Sequence, residues 1–466
     1  MNFFKIPIIT KNMILILGDI LIGFLSFYAG VSVRYHYGSD FVLSQYSPLL
    51  PKAITFSFFV VFISFLAGFY GFEKEESRKE LIVKVFLSGV FVFVALAAFY
   101  YFVPSMQIGR GILFIAICFS IILQSIWHII YVFNFKKIPG FAEKVLILGT
   151  GPLAKTLGTL FDTTKNNFAF AGYVNCLNEP IHVPQEHVIA HGNGNGESLL
   201  DIALKERVGK IVISLTERRG TFPVKELLNC KLNGIDIMDA PSFYEQMLGK
   251  LLIENARPSW FIFSDGFKVT IFRKYFKRIF DVVIAALCLT ISLPFLFIVP
   301  VLIKLNSKGS ALFRQKRVGE GEKIFTLYKF RTMIDGAEKE TGPVWSREND
   351  VRVTKLGKFL RKSRLDEIPQ LFNVLKGDMS LIGPRPERSF FVESLRKQIP
   401  YYSERHCVKP GITGWAQVRY EYGDSIADAL EKLRYDLYYI KHLSFLLDFL
   451  IIFDTAKVIF FGRGGR

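Results

Sequence analysis

Asp366 and Glu367 stand side by side in the stretch RKSRLDEIPQLFNVLKGDMSLIGPRP, residues 361 to 386. Arg361, Lys362 and Arg364 come just before them, and Arg385 follows inside the turn Pro384-Arg385-Pro386. Prolines fix the backbone on both sides of Arg385, and a guanidinium held rigidly is suited to bidentate phosphate recognition. Adjacent carboxylates among cations and an anion suit phosphoryl chemistry with divided labour. One carboxylate attacks phosphorus as a nucleophile. The other helps hold Mg2+, a hard cation that takes oxygen ligands from carboxylates and phosphates. The plainer alternative is a capping carboxylate with surface charge. It accounts less well for four arginines, Arg361, Arg364, Arg385 and Arg388, so near in sequence.

Several elements must hold these groups. Ser363-Arg364-Leu365-Asp366 fits the start of a capped helix, with Leu365, Ile368, Leu371, Phe372 and Leu375 as its apolar face and Gly377 at its end. That spacing predicts Asp366 and Glu367 in the first helical turn, where free amides and the dipole attract anions. Upstream, Phe325–Phe330 alternates like a strand and delivers Lys329 and Arg331, further candidates for phosphate contacts.

The chain as a whole is apolar and basic. Of its 466 residues 51% are hydrophobic and 21% charged, with a formal net charge of +17 and a mean hydropathy of +0.31. The basic excess fits anionic lipid or phosphorylated substrates, and the hydrophobicity argues against nucleic acid. Five scattered cysteines, without a C-x-x-C pair, indicate neither zinc nor a disulfide framework. Four apolar runs, Met13–Val33, Ala53–Phe72, Leu81–Val103 and Gly111–Phe133, each have the length of a bilayer span. The basic residues Lys5, Lys11, Lys74, Arg78, Lys79, Lys136 and Lys137 put both ends of this bundle on the cytoplasmic side.

A fifth run, Ile279–Ile303, has basic flanks on both sides and Pro294 in its middle, two residues after Ser292. It is expected to enter the membrane, break near Ser292-Leu293-Pro294 and return to the same face; a kinked span is the alternative. The last run, Leu443–Phe461, contains Asp448, Asp454 and Lys457. An aspartate at the centre of a span costs about 2.5–3.5 kcal/mol, so a helix lying in the interface is expected, with Ser444, Asp448 and Thr455 near one face. Between these parts, Val145–Leu148, the turn Gly149-Thr150-Gly151 and a helix from Pro152 open a Rossmann-type unit of the form G-x-G-x-x-A ending at Ala154. The second strand, Gly172-Tyr173-Val174-Asn175, lacks the acidic residue of a dinucleotide binder. A structural or regulatory domain is therefore expected over 143–265.

The motifs RQKRVG, YKFRTM, LRKSRLDEIPQLFNVLKGDMSLIGPRPE and VKPGITGWAQV occur in that order. From about Lys274 to Arg466 the chain resembles the bacterial sugar transferase family, the polyprenyl-phosphate sugar-1-phosphate transferases. The bundle and the α/β domain resemble the large form of that family. ERHCVKPGITGWAQVRYEYG and the ending KVIFFGRGGR resemble its branch associated with exopolysaccharide and exosortase gene clusters. The resemblance implies a membrane protein of mixed α and α/β class, with a four-helix bundle over 1–138, the α/β domain, a re-entrant helix over 270–303 and an α-rich catalytic domain over 304–466. It implies transfer of a sugar-1-phosphate from a nucleotide-diphosphate sugar, usually UDP-linked, to a polyprenyl (undecaprenyl) phosphate at the cytoplasmic face of the bacterial inner membrane. Asp366 matches the family's nucleophile, which forms a covalent phosphosugar intermediate. Glu367 matches the partner carboxylate, given to metal and site organisation, and Arg361 and the Pro384-Arg385-Pro386 turn match residues near phosphate. Many members have Ser directly before Pro at the membrane break, whereas Leu293 intervenes here. The large form suggests a homodimer.

Two rival readings differ in class. A membrane-tethered NAD(P)-dependent epimerase or dehydratase rests on Gly149–Ala154 and leaves the chain after residue 270 unexplained. A non-catalytic assembly scaffold requires Asp366 to be dispensable. His406 beside Cys407 is expected to be structural, because adjacent side chains diverge, and Trp415 is expected to pack rather than react.

Overall fold

The computed structural model describes residues 8–460 except 36–46, 71–77, 135–142, 164–167, 177–178, 192–197, 216–222, 255–265, 269, 335, 338–349, 351, 421–422 and 424. Two compact units divide the chain, Met1–Phe243 and Tyr244–Arg466. The ending KVIFFGRGGR lies outside the described residues from Phe461 on.

The first unit opens with α1 (Ile8–Tyr35), α2 (Leu49–Leu66), α3 (Arg78–Phe102) and α4 (Arg110–Asn134). All four are long and apolar enough to cross a membrane. The second ends at Leu66 rather than Phe72, because Ala67 caps it and Gly68 turns left-handed at φ 75°. Phe27, Phe56, Val60, Leu96 and Ala116 fill the bundle centre. Buried among the helices is one carboxylate, Asp19, which accepts a 2.6 Å hydrogen bond from the Tyr70 hydroxyl and lies 3.0 Å from His128 Nε2. Such groups are tolerated in apolar surroundings because they satisfy one another.

A five-stranded parallel sheet follows, in the order β3-β2-β1-β4-β5. Its elements are β1 (Glu143–Leu148), α5 (Pro152–Thr163), β2 (Phe168–Asn175), β3 (Val188–His191), α6 (Leu199–Lys205), β4 (Lys210–Ile213), α7 (Val224–Leu232) and β5 (Asp236–Asp239). The buried run Val145–Leu148 sits mid-sheet, as its unbroken apolar pattern requires. Gly149 adopts φ 119° in the predicted turn. The Thr150 amide beside it donates 2.8 Å to Glu179 Oε2, and the Thr150 hydroxyl donates 3.0 Å to Asn175 Oδ1. The helix α8 (Ala240–Leu248) leads from the first unit into the second.

The second unit begins with two apolar helices, α9 (Ile271–Ile291) and α10 (Leu293–Asn306), bent by 60° at Ser292. Pro294 occupies the first turn of α10, where a missing N–H costs nothing. The hairpin of β6 (Leu312–Val318) and β7 (Ile324–Phe330) is antiparallel. Then come α11 (Lys355–Lys362), a 3-10 turn over Leu365–Glu367, α12 (Gln370–Lys376), β8 (Ser380–Ile382), α13 (Ser389–Gln398), β9 (Gly411–Thr413), α14 (Trp415–Arg419), α15 (Ile426–Lys441) and α16 (Phe445–Phe460).

The core of this unit joins Leu289 of α9, Leu371 and Val374 of α12, Ile382 of β8, Leu437 and Tyr439 of α15 and Ile451 of α16. Both aspartates of α16 turn inward and are nearly fully buried. Asp448 accepts 2.8 Å from the Tyr439 hydroxyl and lies 3.1 Å from Lys277, which also lies 3.3 Å from Asp281. Asp454 lies near Arg419 and Lys457, and the Thr455 hydroxyl meets that of Thr413 at 2.7 Å. Phe445, Leu446 and Ile459 face outward. The acidic residues of this apolar helix therefore bind it to the unit's core and leave its apolar side free.

Lys277 thus compensates two buried carboxylates with one ammonium. Lys277→Met should lower stability by about 3–5 kcal/mol, the loss seen when one partner of a buried ion pair is removed. Thermal melting in detergent checks this, and an unchanged midpoint would show the cluster to be ornamental.

Candidate active site

The site is built from β7 outward. Along β7, Phe325, Leu327 and Lys329 share one face and Phe330 takes the other; Leu327 and Phe330 are buried in separate apolar clusters. Asn373 of α12 pins this strand: its amide donates 2.7 Å to the Thr326 carbonyl, and its oxygen accepts 3.1 Å from the Tyr328 N–H. The far end of α12 is closed by Gly377 at φ 96° and by Arg278 of α9, which donates to the carbonyls of Val374 and Leu375 at 2.5 and 2.7 Å. The helix after the carboxylates is thereby fixed to both the strand and the apolar hairpin.

The local structure at Asp366 differs from the expected helix start. Ser363 ends α11, and its hydroxyl donates back to the Phe359 carbonyl at 2.8 Å. Arg364 then takes a left-handed conformation at φ 58°. Asp366 and Glu367 fall in the single 3-10 turn, ahead of α12. The pattern S-x-x-D was competing with the α11 pattern for the same serine, and the longer amphipathic helix won. Gly357 of α11 packs so closely that a Cβ there would sit 2.0 Å from the Thr332 carbonyl oxygen. This contact seats Arg361, whose Nε donates 3.0 Å to the Thr332 hydroxyl.

Cations gather on Glu367. Lys329 Nζ lies 2.9 Å and Arg385 Nη2 3.4 Å from Oε1, while Arg364 Nη1 lies 3.7 Å from Oε2. Burial opposes the charge of Glu367, yet Lys329, Arg385 and Arg364 outweigh it and hold the carboxyl well below the usual range. Burial likewise pulls the Lys329 ammonium below its ordinary value, against the upward pull of Glu367.

Asp366 is treated differently. Its Oδ1 is buried without a hydrogen-bond partner. Burial, and then the charge of Glu367, push its carboxyl up to about 6, against Lys329, Arg361 and Arg364. Two adjacent carboxyls have been driven apart, one firmly ionised and one poised near neutrality.

The turn carrying Arg385 is held by all three of its carbonyls. Pro384 accepts from the Gly411 N–H at 2.9 Å, Arg385 from Arg405 at 3.0 Å and Pro386 from Arg317 at 3.0 Å. Arg405 is buried and also donates to Asp436 and to the Tyr402 hydroxyl. In VKPGITG, a Cβ on Gly411 would lie 2.1 Å from the Gly383 nitrogen, so that motif supplies close backbone backing for the turn.

The structure therefore brings Asp366, Glu367, Lys329, Arg361, Arg364 and Arg385 to one place. Arg331 points elsewhere, to Ser307 at 2.8 Å. Ser292 and Pro294 mark the helix break, and the Ser292 side chain caps neither helix. His406 is buried, its imidazole pushed down to about 4 by burial and by Arg405, while Cys407 is exposed. Trp415 packs: its N–H donates 2.8 Å to the Gly249 carbonyl, and its ring stacks on Tyr438. Sequence reasoning missed Asn373, Arg278, Arg317, Arg405 and Asp436. Only Asn373 carried a signal, as an amide on an apolar helix face.

Comparison with known proteins places this geometry. The profile described as bacterial sugar transferase matches residues 272–462. The exopolysaccharide production protein PSS of Rhizobium leguminosarum bv. phaseoli is 40% identical over 188 residues, covering 39% of this chain and 92% of that protein. The chain belongs to the bacterial sugar transferase family. Within it, a UDP-N-acetylgalactosamine-undecaprenyl-phosphate N-acetylgalactosaminephosphotransferase of Aeromonas hydrophila is 47% identical over 192 residues, 41% of this chain and 45% of that protein. A UDP-glucose:undecaprenyl-phosphate glucose-1-phosphate transferase of Klebsiella pneumoniae is 45% identical over 185 residues, 39% of each chain. The match thus spans less than half the length of these two relatives. It contains the whole cation cluster of this bacterial sugar transferase.

The poised carboxyl has a consequence for stability. Its rise from 3.8 to about 6 corresponds to roughly 3 kcal/mol lost to the folded state when Asp366 is charged. A raised acid pKa favours the folded state as pH falls, so this loss is present above pH 6 and disappears between pH 6 and 4. Asp366→Asn should therefore melt higher than wild type at pH 8 in EDTA, with the gap closing as pH drops through that window. Equal midpoints at pH 8 would contradict the burial argument.

Proposed function

We propose that this protein is a polyprenyl-phosphate sugar-1-phosphate transferase that moves a sugar-1-phosphate from a UDP-sugar to undecaprenyl phosphate. The observation that carries the reading is the pair of carboxyls: Asp366 buried with an open oxygen, beside Glu367 saturated by cations. The names of the relatives supply the substrate classes, a UDP-sugar donor and undecaprenyl phosphate.

In the first step an Asp366 carboxylate oxygen attacks the phosphorus bonded to the sugar. The phosphoanhydride P–O bond to the nucleotide breaks and UMP leaves with that electron pair. In the second step a phosphate oxygen of undecaprenyl phosphate attacks the same phosphorus. The acyl-phosphate P–O bond breaks, and Asp366 returns as a carboxylate beside undecaprenyl-diphosphate-sugar. Arg361 and Arg364 act on Asp366 electrostatically and are placed to take donor phosphoryl oxygens. Lys329 and Arg385 offset Glu367, which orders these cations around the nucleophile.

Mg2+ fits this donor set through Asp366. Its unpartnered Oδ1 suits one ligand position, with the remainder left to phosphate and water, whereas the oxygens of Glu367 already face cations. Bound there, the ion would offset phosphoryl charge. We read the bent helix pair as re-entrant, since both ends are basic, and the parallel sheet as a Rossmann-like accessory domain. The assembly would be a homodimer in the bacterial inner membrane, with its site toward the cytoplasm and its basic flanks on anionic lipid. It would begin exopolysaccharide synthesis.

The test measures UMP from a panel of UDP-sugars, using purified full-length protein, Mg2+ and undecaprenyl phosphate. UMP should appear with one sugar, depend on lipid for turnover and fall at least a thousandfold in Asp366→Asn. Full activity in that variant ends the nucleophile assignment. Silence with every donor favours the scaffold.

A further inference from the structure

Arg331 is nine-tenths buried and carries a guanidinium charge. Among the described residues no carboxylate lies within ion-pair distance of it. Its Nη2 donates 2.8 Å to both the carbonyl and the hydroxyl of Ser307, but Nε and Nη1 are buried without a hydrogen-bond partner. Nη1 keeps two N–H groups and Nε one, all unmatched, so the guanidinium still offers donors to the oxygens of a phosphate. A buried cation in that state is unfavourable alone, and an anion completes it.

Its position selects the anion. Ser307 immediately follows α10, the second arm of the apolar hairpin, and its N–H donates 3.0 Å to the Ile303 carbonyl. Along that arm Phe297, Val301 and Leu305 are exposed apolar side chains, while Val299 and Ile303 pack on Phe330 and Leu360. Arg331 therefore sits where a lipid-facing surface ends. One residue on, Thr332 holds Arg361, which acts on Asp366. Lys304 and Lys308 are exposed at the same end.

We infer that Arg331 binds the terminal phosphate of the polyprenyl acceptor, with the isoprenoid chain lying along the outer side of α10. This rests on the transfer reaction proposed above. A donor diphosphate offers the same phosphate chemistry, but nothing along α10 matches a nucleotide or a sugar, whereas its exposed side chains match a hydrocarbon.

The experiment compares wild type, Arg331→Gln and Arg331→Lys as full-length protein in detergent, titrating undecaprenyl phosphate and UDP-sugar separately. In Arg331→Gln the KM for undecaprenyl phosphate should rise at least tenfold, while that for UDP-sugar moves less than threefold; Arg331→Lys should fall between. A larger rise in the UDP-sugar KM assigns the guanidinium to the donor and overturns the inference, as do two unchanged values. A second arm needs no turnover: undecaprenyl phosphate should raise the melting midpoint of wild type, and of Arg331→Lys less, but not that of Arg331→Gln. Equal shifts in all three overturn the inference. If wild type releases no UMP yet is stabilised by undecaprenyl phosphate through Arg331, the transfer reading fails and the lipid site stands.

Discussion

The candidate site of the second unit is arranged around a buried anion, Glu367. A carboxylate that deep is tolerable only with positive charge around it, and three elements distant in sequence each supply a cation. β7 brings Lys329, the left-handed residue after α11 brings Arg364, and the double-proline turn brings Arg385. These elements must meet in register, so the ion cluster specifies tertiary structure as much as it prepares a reaction. Its neighbour Asp366 is the beneficiary: a carboxyl kept dry with one oxygen open, while the compensating charge is spent on the residue beside it.

Fixing the cluster falls to groups outside it. Asn373 ties strand to helix, Arg278 ties the same helix to the apolar hairpin, and Arg405 with Arg317 holds the proline turn by its carbonyls. Each uses a charged or amide donor on a backbone acceptor, which is directional and stiff. The hairpin is thus coupled to the position of the carboxylates by hydrogen bonds as well as by apolar packing.

How much of this was readable in advance depended on how local the signal was. The four apolar helices, the break near Ser292-Leu293-Pro294, the turn at Gly149 and the strand carrying Lys329 follow from runs of a few residues and stand in the structure, although the second helix ends six residues short of its apolar run. The polar face of α16 was legible too, because Asp448 and Thr455 share one side, but it was expected at the membrane interface and instead packs on the unit's own residues. The turn at Asp366 was not, since a left-handed Arg364 is an uncommon state for a residue with a side chain, and sequence patterns do not announce it. Pairings such as Lys329 with Glu367, 38 residues apart, or Arg405 with Asp436 depend on the finished fold. The motif VKPGITG carried the family resemblance without a stated role, and its glycines permit backbone contact behind Arg385.

Glu179 gives the parallel-sheet domain an internal competitor. The Thr150 amide, at the turn where such sheets commonly receive a phosphate, already donates to this carboxylate. A side chain tethered so near acts at an effective concentration on the order of millimolar. An incoming anion would meet this carboxylate before it reached the amide. The domain's own side chain thus fills the donor that a phosphate would otherwise use.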